Sequence, residues 1–177
     1  MRRFIAAAAV CLALAACGEE QRAAAPPAPH GLTADAIGQY CGMNVLEHPG
    51  PKGQIILKSR IDPVWFSSAR DTVAFTMLPE EPKDILAIYV SDMGKAPSWD
   101  KPGAMNWVDA KKAWFVIGST LRGGMGAEEA VPFSEREAAD RFARDNGGQV
   151  VAFSAIPKDY VLGSATTGAD PESHERH

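Results

Sequence analysis

Cysteine and histidine are scarce: 3 Cys and 4 His in 177 residues. So few cysteines cannot build a disulfide scaffold, and so few histidines cannot make a His-rich metal store. Basic charge is short as well, with 18 Lys and Arg against 22 Asp and Glu and a formal charge of -4. That balance argues against a nucleic-acid surface, which needs clustered cations. Gly-x-Ser-x-Gly, His-Glu-x-x-His and Cys-x-x-Cys do not occur, which excludes the sequence forms of a serine-hydrolase elbow, a helical zinc site and a dithiol redox pair. The Gly-rich run Arg122–Gly126 lacks a following Lys-Ser/Thr and does not fit a phosphate loop. What remains is an ordinary globular composition, 46% hydrophobic and 23% charged. The length allows one domain or two small ones.

The first residues read as an address. Met1-Arg2-Arg3 is basic, and Phe4–Ala16 has no charge, Gly or Pro. This run is shorter than the roughly 20 residues needed to span a bilayer, so it reads as a secretory signal peptide over 1–16. Leu14-Ala15-Ala16-Cys17 resembles a bacterial lipobox. Cleavage before Cys17 would free its sulfur and amino group for lipid, and several acyl chains anchor a protein firmly. Gly18 stands where Asp often accompanies inner-membrane retention, which favours the outer membrane. Cys11 would leave with the signal and Cys17 would carry lipid. Cys41 would then be the one free thiol, a buried inert group, an intermolecular link, or a reactive or ligating sulfur.

Residues 17–31 read as a flexible Pro/Ala tether from the membrane, and 163–177 as a disordered tail. Between them two runs share one pattern. In the first, 32–92, a strand over 54–59 precedes a helix opened by Asp62-Pro63 and running to about Met77. A strand over 85–90 closes it. In the second, 113–162, a strand over 113–117 and a short extended piece over 130–133 precede a helix. Ser134-Glu135-Arg136-Glu137 reads as its capping box, Gly147-Gly148 as its stop, and 149–156 as the last strand. The Gly- and Pro-bearing stretch 93–112 connects the runs. The pattern is an α+β fold with a duplicated unit.

The sulfur atoms are the candidates for chemistry. Cys41 and Met43 are two residues apart, which places both on one side of an extended segment. Soft thiolate and thioether ligands select Cu(I) over harder divalent ions. Met125 is flanked by Gly on both sides, an odd setting for a core Met and one that allows close approach. Packing in the core is the alternative for both methionines. His48, before Pro49-Gly50-Pro51, is either an imidazole ligand or an exposed loop residue. Met93 and Met105 read as loop packing, and the pairs Glu80-Glu81 and Glu128-Glu129 as solvated.

Taken together, the lipobox, Cys41-Gly42-Met43, His48-Pro49-Gly50-Pro51-Lys52-Gly53-Gln54, Gly123-Gly124-Met125-Gly126, Pro132-Phe133 and Gly147-Gly148, in this order, resemble the NosL family. These are copper-binding lipoproteins that accompany nitrous-oxide reductase. The resemblance covers about 33–157. It implies a periplasmic Cu(I) metallochaperone, not an enzyme. Such a protein would deliver copper for maturation of the reductase together with its membrane-bound assembly transporter complex. It implies a fold of two homologous ββαβ units, also found in organomercurial lyase. It makes Cys41 the thiolate ligand and Met43 and Met125 thioether candidates, with His48 a further possibility. Two other classes remain. A structural or assembly lipoprotein without metal would bury Cys41 unreactive. A carbon–mercury lyase would want more than one thiol near an acid.

Overall fold

The computed structural model describes residues 25–124 and 126–163. The expected signal peptide, the Cys17 lipidation site, Met125 and the tail from residue 164 lie outside the described residues. Among those described, no helix is long and apolar enough to cross a membrane.

The first unit is built from β1 (Gly53–Leu57), β2 (Val64–Phe66), α1 (Ala69–Met77) and β3 (Ile85–Ser91). After it come β4 (Trp107–Asp109) and the second unit, β5 (Trp114–Ile117), β6 (Val131–Phe133), α2 (Arg136–Asn146) and β7 (Gln149–Ala152). A last helix, α3, spans Lys158–Leu162. The two sheets are antiparallel, with orders β2-β1-β3-β4 and β6-β5-β7. Each unit is thus a ββαβ module, as the family resemblance implies, and in each the first strand lies centrally.

The structure departs from the sequence patterns in several places, and the last strand, expected over 149–156, ends at Ala152 with a 3-10 turn after it. Pro63 does not open a helix. Val64–Phe66 pair with β1 as a strand, and Ser68 caps α1 instead, its hydroxyl accepting from the Asp71 amide at 3.2 Å. Tertiary pairing overrides helical spacing here, since Val64 and Phe66 alternate with Trp65 and bury on one face. The Ser134 capping box does not form either. Residue 135 occupies the cap position of α2 without a side-chain bond, while Ser134 donates its hydroxyl to the buried Asp92 carboxylate at 2.6 Å and its amide at 3.1 Å. Finally, the stretch 93–112 supplies β4, which extends the first sheet.

The residues read as tether are bound at their end. The side chain of buried Gln54 accepts from the His30 amide and donates to the His30 carbonyl, and Tyr89 donates to the Pro27 carbonyl. The main core is shared by both units. Ile55, Phe66, Val73, Phe75, Ile88 and Val90 from the first meet Phe115, Ile117 and Ala130 from the second, with Ile156 and Val161 beyond β7. Burying this continuous apolar surface, at about 25 cal/mol per Å², holds the units face to face. The loops before β1 and after β5 are thereby brought together, Gly124 lying against His48.

Candidate metal centre

Cys41 sits on a tight loop, not on an extended segment. Residues 36–38 run antiparallel to 43–45: the Gly38 amide donates to the Met43 carbonyl and the Val45 amide to the Ala36 carbonyl, each at 2.9 Å. Gly42 takes φ 66° at the reversal, a conformation most side chains resist. The loop is stitched to β2 by the Gln39 amide, which donates to the Trp65 carbonyl at 2.8 Å. Cys41 is half-buried. Its sulfur lies over Gly38, where a Cβ would approach it to 2.5 Å, so glycine is what makes room for the thiol. The Sγ is also 3.5 Å from the Ser67 Oγ and 3.9 Å from the Met43 carbonyl. Met43, just past the reversal, is 38% exposed.

His48 follows a single 3-10 turn, Val45–Glu47, capped by the Asn44 side chain. Its imidazole packs on the second unit's loop. A Cβ on Gly124 would lie 2.4 Å from the His48 Cβ and 3.1 Å from its Nδ1. The His48 Nε2 is buried and has no hydrogen-bond partner among the described residues. The sequence readings left His48 open between ligand and exposed loop residue. The fold half-buries the residue and sets an unpaired ring nitrogen beside Gly124, the neighbour of Met125.

Two buried charges missed by the sequence reading support these loops. Lys52 is 1% exposed, and its ammonium donates to the carbonyls of His48, Pro49 and Ser67. Burial lowers its pKa to about 8, against the pull of the Glu129 and Cys41 charges. Glu129, read from sequence as solvated, is also 1% exposed. One carboxylate oxygen accepts from the Ser68 hydroxyl at 3.2 Å, the Arg70 amide at 2.7 Å and the Ala130 amide at 2.9 Å. Burial raises its pKa to about 7, with those hydrogen bonds opposing. It accepts from the first turn of α1 in the other unit, beside the Ser68 cap, where the amides and dipole favour an anion. The signals were faint but present: Lys52 stands inside the Pro-Gly-Pro-Lys-Gly motif, and Glu129 adjoins the apolar run Ala130–Phe133.

Cys41, Met43 and His48 therefore belong to one pair of loops in the first unit, and His48 joins them to the Gly123–Gly124 turn of the second. Among the described residues no three His, Cys, Asp or Glu gather as a metal cage. A site here would rest on sulfur with at most one imidazole, the donor set that soft monovalent copper prefers.

Comparison with known proteins gives the family. The NosL family matches over residues 29–161. The chain is 47% identical over 174 residues to the copper-binding lipoprotein NosL of Achromobacter cycloclastes, covering 98% of this chain and 89% of that protein. It is 32% identical over 153 residues to the copper-binding lipoprotein NosL of Stutzerimonas stutzeri, covering 86% and 78%. The crystal structure of the copper chaperone NosL from Shewanella denitrificans superposes with a TM-score of 0.70 at 34% identity, covering 75% of this chain and 98% of that one. Motifs, the paired ββαβ units and these relatives agree that the chain belongs to the NosL family.

Proposed function

We propose that this protein is a lipid-anchored Cu(I) metallochaperone on the periplasmic side of a bacterial membrane, the outer one favoured. It would deliver copper for maturation of nitrous-oxide reductase, in concert with that system's membrane assembly transporter. The observation that carries the copper reading is the half-buried Cys41 sulfur, held over Gly38 and beside Ser67 on a loop whose partner loop sets His48 against Gly124. A thiolate binds Cu(I) tightly, and neutral thioethers from Met43 and Met125 add soft contacts. The lipoprotein names of the relatives support the anchor at Cys17.

Delivery requires a partner to reach the metal. Ile37, Tyr40, Met43 and Leu46, all on the Cys41-bearing segment, remain exposed. Apolar groups gathered at a surface favour a protein partner, and a site of few ligands hands its metal on by stepwise exchange. The test is anaerobic Cu(I) titration of a soluble form spanning 18–177, read by mass spectrometry. One Cu(I) per chain is expected, with loss of binding in Cys41→Ser. A Cys41→Ser protein that still takes one Cu(I) with unchanged affinity overturns the reading, as does a wild-type thiol that copper fails to protect from alkylation.

A further inference from the structure

The copper reading uses Cys41, Met43, His48 and Met125 and leaves the buried carboxylate of Glu129 unexplained. Glu129 belongs to the second unit but makes two of its three hydrogen bonds to the first, at the start of α1. The residue before that start, Ser67, carries the hydroxyl 3.5 Å from the Cys41 sulfur. The same residue's carbonyl is held by the Lys52 ammonium, which also holds the carbonyl of His48. Ser67 and Ser68 thus form a node, gripped by Lys52 from the first unit and by Glu129 from the second.

The other Glu129 oxygen faces the Gly123–Gly124 turn. It is buried and has no hydrogen-bond partner among the described residues. A Cβ at Gly123 would come within 2.8 Å of it. A cavity of about 60 Å³ lies here, lined by Ser67, Ser68, Gly123, Gly124 and Glu129 among others. One carboxylate therefore touches the support of the thiol on one side and the backbone of the loop bearing Met125 on the other.

We propose that Glu129 is a positioning residue for the copper site: bonded to Ser68 and the Arg70 amide and abutting Gly123, it sets how closely the second unit's loop approaches Cys41. This deepens the copper reading and rests on it. Cu(I) gains a ligand from the second unit only when the two loops are held at the right separation. Groups that orient ligands without touching metal matter nearly as much as the ligands themselves.

The experiment uses the full lipidated protein in detergent, loaded with Cu(I) without oxygen. Glu129→Ala, Glu129→Gln and Ser68→Ala are compared with wild type by competition with a chromophoric Cu(I) chelator and by X-ray absorption at the copper edge. Gln keeps an oxygen for the same amides, so Glu129→Gln should retain wild-type affinity and coordination. Glu129→Ala should still bind one Cu(I) through Cys41, about 10- to 100-fold more weakly and with one ligand fewer. Ser68→Ala should move both readouts in the same direction by less, and it carries the test if Glu129→Ala does not fold. Wild-type affinity and ligand number in folded Glu129→Ala overturn the proposal. So does a loss matched by Phe142→Ala, a packing defect elsewhere in the second unit. Cys41→Ser run alongside separates the two readings: if it too binds copper normally, the copper site itself is misassigned.

Discussion

The two ββαβ units have the same strand order and opposite relations to the core. Helix α1 is buried at Ala69, Thr72, Val73, Ala74 and Phe75, whereas α2 buries Ala139 alone. The first helix is enclosed between its own sheet and the second unit, packing on α3 and near β6. The second lies on the outside, carrying Arg136, Glu137, Asp140, Arg141, Arg144 and Asp145. The two units share one architecture, and their stacking leaves one helix internal and the other external. The interior helix is the one whose start adjoins the thiol loop. The unit that brings Cys41 is thus held rigid from both sides, while the second unit contributes a Gly-rich turn and one buried acid.

The comparison breaks most plainly by truncating one aromatic in each helix. Phe75 is 1% exposed and packs edge-on against Phe66 with ring centroids 5.5 Å apart. Phe75→Ala should cost about 3–5 kcal/mol, a large part of a domain's total stability. Phe142 is half-buried against Trp99 and Phe133, and Phe142→Ala should cost about 1–2 kcal/mol. Urea unfolding of both variants checks this, and equal losses would erase the distinction between an inner and an outer helix.

The joint between the units should show itself in pH dependence. Burial lifts the Glu129 pKa from an ordinary 4.5 to about 7. Between those values the folded state binds the proton that the unfolded state has released. Stability is therefore highest with the acid protonated and falls as pH rises through that window, by up to about 3 kcal/mol. Chemical unfolding at several pH values should show this slope in wild type and lose it in Glu129→Gln. A slope unchanged by the substitution would mean that the acid is not confined between the units.

A small stability change is also expected at the thiol loop. A methyl on Gly38 would meet the Cys41 sulfur at 2.5 Å, so Gly38→Ala must displace the thiol. A stability loss of about 1–2 kcal/mol is expected from the overpacking, with weaker Cu(I) binding in the chelator competition. Unaltered binding would show that the thiol has room to choose another position.

Most strands were legible in the sequence because their apolar runs are continuous, as in Ile55-Ile56-Leu57 and Phe115-Val116-Ile117. Val64-Trp65-Phe66 was not legible as a strand. The preceding Asp62-Pro63 is a fair helix opening, and only pairing with Gln54 and its neighbours shows otherwise. The Ser134 box failed for a similar reason, since Asp92, 42 residues away in sequence, competes for its hydroxyl. Glu129 looked solvated because its neighbour Glu128 is, and burial of one member of an acidic pair has no local signature.

By itself the sequence named the candidate donors and the expected address. Sulfur at Cys41, Met43 and Met125 is a matter of residue type, as are the basic start, the apolar run and Cys17. The ordered motifs determined the family. Only the tertiary structure decided that His48 meets Gly124, that the thiol fits because Gly38 has no side chain, and that Lys52 and Glu129 are buried around Ser67 and Ser68. These are contacts between segments up to about 80 residues apart in the chain. They arise from packing two copies of a module face to face, which no local pattern encodes.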